Sequence, residues 1–376
     1  MGVLSGVRVV EIAGIGPAPF CGMLLADMGA DVILVERSNM KAGDPLDLGD
    51  QAIVHRGKRS LALDLKEPRA IEAVLRLVSG ADALLEGMRP GVMERLGLGP
   101  AVCLERNPRL VYGRMTGWGQ DGPLAQAAGH DLNYIALSGA LWYSGEPGTP
   151  PLAPPTLVGD LGGGALYLAM GVLAGILGAR SSGRGQVVDA AIVDGSANMM
   201  NLLLSLHGAG RMPMARGRGL LDGPHWYGSY ACADGSWISI GALEPQFYAL
   251  LLDKLGLTDE PDFQRPYDPR TWAALRQRLA DIFASQPRQH WVDLMEGSDV
   301  CFAPVLDPRA AMEHPHIAAR GIYSEPAGVL QAAPAPRFSS GSMEPGPVPR
   351  RGEHGADILR QSGLSESEIE HLLATG

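Results

Sequence analysis

The sequence has few charged residues and no cluster of positive charge. Charged residues make up 19% of the 376 residues, with 31 Lys and Arg against 41 Asp and Glu, so the formal net charge is −10. Nucleic-acid-binding domains carry a basic stripe or patch, and none is present in this sequence. The composition therefore argues against a nucleic-acid partner. Any anionic ligand must be held by individual arginines or lysines placed at one site.

Cysteine is scarce, and its spacing matches no metal or redox motif. Cys21, Cys103, Cys232 and Cys301 lie far apart along the chain. We therefore expect no metal centre and four small buried side chains in a reducing compartment. The sequence opens without a charged segment followed by an apolar one, and Ala374-Thr375-Gly376 is not a peroxisomal address. The predicted location is the cytoplasm.

Long apolar runs are also rare. Residues Leu161 to Ala179 form one uncharged run of 19 residues, close to the ~20 residues of a membrane-spanning helix. Six of these residues are glycine, which lowers both the hydrophobicity and the helix propensity of the run. Gly171 and Gly175 stand at a spacing that lets another backbone approach closely. We therefore predict a buried core helix and no membrane partner.

The remaining sequence indicates a soluble α/β protein. Hydrophobic residues make up 46% of the chain, and its 50 glycines and 29 prolines are spread among apolar runs. A chain of this length is too long for one ordinary core. We predict a large Rossmann-like domain with a parallel sheet over 1–210, to which 331–376 return. A connector over 211–235 and a smaller α/β domain over 236–330 complete the prediction.

The N-terminal strand, turn, helix and strand look like the opening of a dinucleotide-binding fold. Val7–Ile12 and Asp31–Glu36 are predicted strands, and the second ends in an acid. Pro17 and Pro19, however, occupy the turn whose backbone N–H groups should meet a pyrophosphate, and proline has no N–H. Arg37 then suits a phosphate better than a ribose hydroxyl. These departures disfavour NAD as the ligand.

Three cations directly follow predicted strands. They are Arg37, Lys66 and Arg89, and Arg95 lies on the helix after the last of them. Open α/β sheets bind ligands at the carboxyl ends of their strands. A single Lys or Arg is usually a solvated surface charge, but three at strand ends of an acidic protein favour a polyphosphate pocket.

Two stretches carry groups suited to proton transfer. Ala128–Tyr134 (AGHDLNY) contains the imidazole of His130, and Leu157–Gly164 (LVGDLGGG) contains Asp160 followed by three glycines. If Asp160 lies at a strand-to-helix junction, the N–H groups of Gly162–Gly164 stay free for an oxygen that becomes negative. A base, an acid and such donors can move a proton next to a carbonyl. The structural alternatives are a core histidine and an N-capping aspartate.

Five motifs together resemble the family III CoA-transferase superfamily (CaiB/BaiF type), specifically its α-methylacyl-CoA racemase branch. The resemblance runs from about Leu4 to Leu359. Its motifs are AGHDLNY, LVGDLGGG, GQVVDAAIVDG (Gly185–Gly195), GALEPQFY (Gly241–Tyr248) and DVCFAPVL (Asp299–Leu306). The resemblance implies a large CoA-binding α/β domain, a small α/β domain and a returning C-terminal segment. It also implies an interlocked homodimer, with each active site between the large domain of one subunit and the small domain of the other.

The resemblance further implies roles for individual residues. His130 and Asp160 match the family's catalytic pair, and Glu244 matches a glutamate that the partner subunit brings near the histidine. Glu244 could instead be a simple helix-start acid, because it precedes Pro245. The positions that match CoA contacts are Arg37, Leu63, Asp64, Leu65, Lys66, Gly87, Met88, Arg89, Arg95, Gly129, Asp131, Leu132, Asn133 and Tyr134.

These roles predict an isomerase that inverts the α-carbon of a 2-methyl or similar 2-substituted acyl-CoA thioester. Removal of the α-proton gives a planar enolate, and inversion needs one base on each face of it. Burial would raise the pKa of Asp160, and a carboxylate such as Glu244 would raise that of His130. No prosthetic group is expected, since CoA arrives as part of the substrate.

Two alternatives stay open. A family III CoA-transferase would use Asp160 as a nucleophile, passing through an anhydride and an enzyme-bound CoA thioester to move CoA between carboxylic acids. The presence of His130 with Glu244 favours the racemase, because transferases of the family generally lack that pair. The second alternative is a non-catalytic acyl-CoA-binding protein, which would bind CoA without exchanging the α-proton.

The sequence departs from the racemase pattern in the connector. Leu221–Tyr227 (LDGPHWY) stands where relatives carry a Leu-Asp-Gly-Gly-Ala-Pro type of run, with one residue fewer and two bulky rings. If this stretch rims the pocket, the acyl group is smaller, flatter or more polar than a branched fatty chain. Met88, Met115, Met199 and Met200 could line an acyl tunnel or belong to the core.

Overall fold

The computed structural model describes residues 2–38, 48–340 and 343–374. It divides the chain into two compact units. The first unit is built from the ranges 1–141, 153–199 and 323–376, and the second from 142–152 and 200–322.

A six-stranded parallel sheet forms the centre of the first unit. The strands are β1 (Arg8–Ile12), β2 (Asp31–Arg37), β3 (Arg59–Leu63), β4 (Ala83–Glu86), β5 (Val111–Thr116) and β6 (Gln186–Ala191). They lie in the order β3-β2-β1-β4-β5-β6, and every pairing is parallel. This is the strand order of doubly wound dinucleotide-binding folds, whose ligands bind at the carboxyl ends of the strands where β1 and β4 diverge. The predicted α/β class with a parallel sheet is confirmed.

Helices connect these strands and cover both faces of the sheet. They are α1 (Pro17–Asp27), α2 (Pro68–Ser79), α3 (Val92–Arg95), α4 (Pro100–Arg106), α5 (Asp131–Leu137), α6 (Leu166–Ser182) and α7 (Ile192–Met199). A π-helix over Leu157–Ala165 leads directly into α6. Because strand side chains alternate, Val10 and Ile33 enter the core on one face, and Val9 and Val32 enter the core on the other.

The second unit contains a three-stranded antiparallel sheet. Its strands are β7 (Tyr227–Ala231), β8 (Trp237–Gly241) and β9 (Phe302–Val305), with β8 in the middle. Its helices are α8 (Asn201–Gly208), α9 (Pro245–Leu255), α10 (Trp272–Phe283), α11 (Arg288–Met295), α12 (Pro308–Glu313) and α13 (Pro315–Ala319). Ile238, Ile240, Leu251 and Leu279 are among the side chains of its separate hydrophobic core.

The C-terminal segment belongs to the first unit. It contains the short antiparallel strands β10 (Tyr323–Ser324) and β11 (Gln331–Ala332), followed by α14 (Gly355–Gln361) and α15 (Glu366–Ala374). A capping box begins the last helix. The N–H of Ser365 donates to Glu368 at 2.7 Å, and the N–H of Glu368 donates to Ser365 Oγ at 3.4 Å.

The returning segment is joined to the outer edge of the sheet at β3. The N–H of His354 donates to the carbonyl of Ser60 at 3.0 Å, and the N–H of Gly352 donates to Ser60 Oγ at 2.7 Å. The Ser60 hydroxyl in turn donates to Glu36 at the end of β2. The C-terminal segment therefore covers the outer side of β3, a strand from the N-terminal part of the chain.

Within the described residues, Leu157–Ser182 is the one helical run long and apolar enough to span a membrane. Leu168, Val172 and Ile176 on α6 nevertheless pack in the core beside β5 and β6. One face of α6 therefore belongs to the core, as predicted, whereas Leu166, Met170 and Leu177 on the same helix are exposed, so the helix is not buried as a whole.

The cysteines differ in exposure. Cys21, Cys103 and Cys232 are buried, as predicted. The prediction is wrong for Cys301, which is exposed and takes a positive φ of 58° at the turn before β9.

A fully buried ion pair ties α1 to the central strand. The Nζ of Lys58 donates to both oxygens of Glu11 at 2.8 and 2.7 Å and to the carbonyl of Pro19 at 2.9 Å. Both side chains are 0% exposed. Burial raises the pKa of Glu11 to about 7, although the ammonium opposes this shift. Neither charge has another described counter-ion at hydrogen-bond distance, so each depends on the other.

We expect Lys58→Met to lower the free energy of unfolding by about 3–5 kcal/mol, because it leaves the Glu11 carboxylate buried without its partner. Urea denaturation followed by circular dichroism measures this change. Lys66→Met, at an exposed lysine after β3, should change stability by no more than about 0.5 kcal/mol. A loss of under 1 kcal/mol in Lys58→Met would contradict the expectation.

Candidate active site

The four predicted ligand-binding cations lie at or near one edge of the parallel sheet. Arg37 ends β2, Lys66 follows β3, Arg89 follows β4, and Arg95 ends the short helix α3. Because all six strands run the same way, their carboxyl ends meet at this edge. All four side chains are exposed. The arrangement presents positive charge where an open α/β sheet binds its ligands.

The other predicted CoA-contact residues differ in what they offer. Leu63 is 0% exposed in the core, so its side chain cannot reach a ligand, and its carbonyl accepts from the N–H of Ser38 at 3.3 Å. The Asp64 carboxylate accepts from the N–H of Lys66 at 3.0 Å. Leu65 and Met88 pack partly against the core. Gly87 is exposed beside Met88.

The residues from Gly129 to Tyr134 also differ in burial and in hydrogen bonding. The Tyr134 side chain is buried, and its hydroxyl donates to the carbonyl of Gly129. Asn133 Oδ1 accepts from the N–H of His130 at 3.0 Å, while Leu132 is 55% exposed. Asp131 is buried and is considered below.

Glu36 does not have the surroundings of a ribose-binding acid. It is buried and accepts a hydrogen bond from Ser60, and Arg351 Nε lies 3.7 Å from its other oxygen. The carboxylate is therefore occupied by the returning C-terminal segment. This occupation agrees with the sequence argument against NAD.

Asp160 lies in a π-helix and not at a strand-to-helix junction. The π-helix Leu157–Ala165 includes Asp160 in its first turn, and the element before it along the chain is the helix α5, not a strand. A π-helix bonds each N–H to the carbonyl five residues earlier. The N–H groups of Gly162–Gly164 are therefore used within the helix. The prediction that they form an oxyanion cradle is wrong.

The glycines of this π-helix instead allow close packing. A Cβ at Gly159 would lie 2.5 Å from Asp131 Oδ1, and one at Gly163 would lie 2.4 Å from Ser196 Oγ on α7. A Cβ at Gly164 would lie 3.2 Å from the Cβ of Pro17 on α1. Side chains at these positions would push the neighbouring helices away, so glycine sets the position of Asp160.

The surroundings of Asp160 favour its protonated form. Burial, and secondarily the charge of Asp131, raise the pKa of Asp160 to about 6, while His130 acts in the opposite direction. The predicted effect of burial on this carboxyl is confirmed. The site of a Gly16 Cβ, just before α1, lies 3.6 Å from Asp160 Oδ2. The first βα turn thus approaches the carboxylate, where a dinucleotide fold would hold a pyrophosphate.

His130 is exposed and immediately precedes α5 as its N-cap residue. Its charge acts on Asp160, so the imidazole and the carboxylate are within electrostatic reach of each other. The first unit thus brings together the two residues predicted to form the catalytic pair.

The link between these two residues is the side chain of Asp131. Its Oδ1 accepts hydrogen bonds from the N–H groups of Gly159 and Asp160, both at 2.8 Å. These are first-turn donors that the π-helix cannot satisfy internally. Sequence reasoning placed Asp131 among the ligand contacts and missed this contact. The sequence feature that could have indicated this contact is an acidic residue directly after His130 together with a glycine directly before Asp160.

Glu244 lies in the second unit. It is the N-cap residue of α9, makes no capping hydrogen bond with its side chain, and is exposed. Its negative charge contributes to raising the pKa of the nearby Cys301 thiol, after burial. The carboxylate is therefore accessible from solvent.

The bulky rings of the connector lie in the core of the second unit. His225 and Trp226 are both 0% exposed. His225 Nε2 lies 2.9 Å from the Tyr248 hydroxyl, and Trp226 donates to the carbonyl of Pro266 at 3.1 Å. The idea that these two rings rim the substrate pocket is wrong, because burial within their own unit explains them.

Two of the four methionines considered for an acyl tunnel differ in their exposure. Met115 is 3% exposed and packs in the core of the first unit. Met199 is 39% exposed, and its Cε lies 3.4 Å from the site of a Gly162 Cβ. Met199 is therefore the methionine that borders the π-helix carrying Asp160.

Known proteins are similar to this chain along almost its whole length. Residues 4–355 match the CoA-transferase family III. The chain belongs to this family. It is 41% identical to the alpha-methylacyl-CoA racemase of Mus musculus over 98% of this chain and 96% of that protein. It is 40% identical to the Homo sapiens protein of the same name, with the same coverage.

The fold of the family is also found in solved structures. The crystal structure of a CaiB/BaiF family protein from Brucella suis matches with a TM-score of 0.79 and 26% identity. The match covers 96% of this chain and 99% of that one. The family resemblance noted from the five motifs is therefore confirmed.

We expect Asp160→Asn to stabilise the protein at pH 8 by about 1 kcal/mol, after allowance for solvent screening of a half-buried group. The folded chain binds the Asp160 proton more tightly than the unfolded chain. Lowering the pH from about 6 towards 4 therefore favours the folded wild type, and the advantage of the asparagine disappears there.

Urea denaturation at pH 4, 6 and 8 measures this difference. Asp121→Asn, at an exposed aspartate of the same unit, is the matched control and should show no such trend. If the stabilisation of Asp160→Asn over the wild type grew as the pH fell, the raised pKa of Asp160 would be contradicted.

Proposed function

We propose that this protein is an acyl-CoA racemase that inverts the α-carbon of a 2-methyl, or similarly 2-substituted, acyl-CoA thioester. The single observation that carries the proposal is the pKa of Asp160, which is raised to about 6 in a place where the charge of His130 acts on the same carboxyl. Similarity to two racemases at about 40% identity over nearly the whole chain supports it.

The exposed cations give the thioester a defined orientation. Arg37, Lys66, Arg89 and Arg95 are spread along the carboxyl edge of the sheet. Phosphates of CoA bound there would leave the pantetheine arm free to extend towards the π-helix and Asp160. Arginine forks match phosphate oxygens in pairs, which favours them over single point charges at such a site. CoA enters as part of the substrate, and the proposal includes no prosthetic group.

The reaction is a proton transfer at the carbon next to the thioester carbonyl. One of His130 and Asp160 takes the α-proton, which leaves a planar enolate, and the other returns a proton to the opposite face. A carboxyl that titrates near pH 6 can be either acid or base close to neutral pH, because the best catalytic pKa lies near the working pH. The two residues exchange roles with the hand of the substrate.

A CoA-transferase reaction is the second candidate, because the family is described as one of CoA-transferases. In that reaction the Asp160 carboxylate attacks the thioester carbonyl, which forms a mixed anhydride and releases the CoA thiolate. The thiolate then attacks the Asp160 carbonyl, which releases the first acid and leaves a CoA thioester on the enzyme. A second free acid reverses these two steps, leaves as the new acyl-CoA and restores the Asp160 carboxylate. A carboxyl with a pKa of about 6 is still mostly ionised at pH 7, so the raised pKa of Asp160 is compatible with nucleophilic attack as well as with proton transfer.

The first test follows deuterium at the α-carbon of a 2-methylacyl-CoA in D₂O. We expect exchange by the wild type and a loss of roughly 10²–10⁴-fold in both His130→Ala and Asp160→Ala, the usual contribution of general acid–base catalysis. His290→Ala, at a histidine of α11, should exchange like the wild type.

Absence of exchange in the wild type, with CoA ester bound, would end the racemase proposal and leave a binding protein. Inactivation by hydroxylamine or borohydride at Asp160, dependent on acyl-CoA, would instead support the transferase.

The proposal includes a homodimer in the cytoplasm. Leu166, Met170 and Leu177 are 53%, 60% and 70% exposed on one helix, α6, of the first unit. A monomer rarely exposes such a set of large apolar side chains together. A second copy covering this helix would bury them and could bring Glu244 of the partner subunit to His130, as the family resemblance implies.

Mixing two inactive variants tests this arrangement. Co-expressed His130→Ala and Glu244→Gln chains should recover activity, since a shared site can combine an intact histidine from one chain with an intact glutamate from the other. Each variant alone stays impaired, and sedimentation should give twice the mass of the chain. A monomeric mass or no recovery would contradict the shared site.

A further inference from the structure

The contact between Asp131 and the π-helix joins the two proposed catalytic residues through one carboxylate. Asp131 is the first residue of α5, directly after His130, and its Oδ1 accepts from the backbone of Gly159 and of Asp160 at 2.8 Å each. We propose that Asp131 is a positioning residue of the racemase site, whose buried carboxylate fixes the first turn of α5 against the first turn of the π-helix. This inference rests on the proposed function.

Burial and close packing support the role. Asp131 is 9% exposed, although aspartate is usually solvated, and its hydrogen-bond acceptors face two helix-end donors that would otherwise lack partners. A Cβ at Gly159 would lie 2.5 Å from Asp131 Oδ1 and 2.9 Å from Ile135 Cγ2. The absence of a side chain at residue 159 is what lets the two helices approach to hydrogen-bond distance.

The same carboxylate has an electrostatic effect on its neighbour. Charges that act on the Asp160 carboxyl are those of Asp131, which raises its pKa, and of His130, which lowers it. The third ionisable group nearby is Tyr134 of α5, whose own pKa is raised by burial and by Asp160 and lowered by Arg89. Two carboxylates held close together do not both ionise easily. Asp131 therefore helps to keep a proton on Asp160.

Three variants separate the hydrogen bonds from the charge. Asp131→Asn keeps an oxygen acceptor of the same shape and removes the charge, whereas Asp131→Ala removes both. Asp189→Asn is the matched control, because Asp189 on β6 also accepts a backbone N–H, from Gln120 at 3.3 Å, and does not act on Asp160.

The first measurement does not depend on activity. In protein labelled with ¹³C at the aspartate carboxyls, the Asp160 resonance is assigned by its loss in Asp160→Asn. We expect it to titrate near pH 6 in the wild type and in Asp189→Asn, and at lower pH in both Asp131 variants. Amide hydrogen exchange at Gly159 and Asp160 should be faster in Asp131→Ala and close to wild type in Asp131→Asn.

The second measurement is α-proton exchange against pH. We expect kcat to fall roughly 10²-fold in Asp131→Ala with little change in KM, as a small misplacement of catalytic groups does. In Asp131→Asn, kcat should fall less, and the acid limb of the profile should move to lower pH.

The outcomes distinguish this inference from the proposed function. An unchanged Asp160 titration together with unchanged amide exchange in Asp131→Ala would overturn the inference, even if the wild type is an active racemase. Asp131→Ala could lower the pH at which Asp160 titrates and speed up amide exchange while the wild type exchanges no α-proton. That combination would support the positioning role of Asp131 and reject the racemase. A loss of activity in Asp131→Ala through KM alone would also overturn the inference, because it would indicate a ligand contact.

Discussion

The close packing of one glycine-rich π-helix is the constraint on which the candidate site depends. A Cβ at Gly159 or Gly163 would lie within 2.5 Å of an atom of α5 or α7, and one at Gly164 would lie 3.2 Å from Pro17 of α1. Three helices thereby meet around a single turn of backbone, and the carboxylate of Asp160 emerges from that turn. Side chains at Gly159 and Gly163 would force the neighbouring helices to shift, and small displacements of this kind matter for the proposed catalytic groups.

The positive charges and the reactive carboxyl of the candidate site lie in two different regions of the first unit. Exposed cations after β2, β3 and β4 provide charge in solvent, where it attracts an anion without a large desolvation cost. The carboxyl of Asp160 is half-buried and lies beside a second carboxylate, so it resists ionisation. This separation of the exposed cations from the half-buried carboxyl suits the proposed substrate, because the phosphates and the carbonyl carbon of a CoA thioester are far apart.

Sequence patterns predicted the elements whose causes are local. The predicted strands Val7–Ile12 and Asp31–Glu36 agree with β1 and β2 to within one residue, because short runs of apolar or β-branched residues bounded by turns can be recognised along the chain. The π-helix was not predictable, since its five-residue bonding has no residue signature distinct from that of an α-helix. The contact of Asp131 with Gly159 was missed because it joins residues 28 apart in sequence. The condition that the connector rims the pocket rested on the size of its rings, which is visible in the sequence, whereas the burial of His225 and Trp226 is not.

The junction of Ser60 with Gly352 and His354 has a consequence for biosynthesis. Strand β3 is the outermost strand of the six, and its exposed edge would be open to pairing with other chains. The residues that occupy Ser60 are translated almost at the end of the message. During translation, therefore, the whole second unit leaves the ribosome before the residues that cover β3 of the first unit have been released. A nascent or truncated chain is the form of this protein that is most in need of a chaperone.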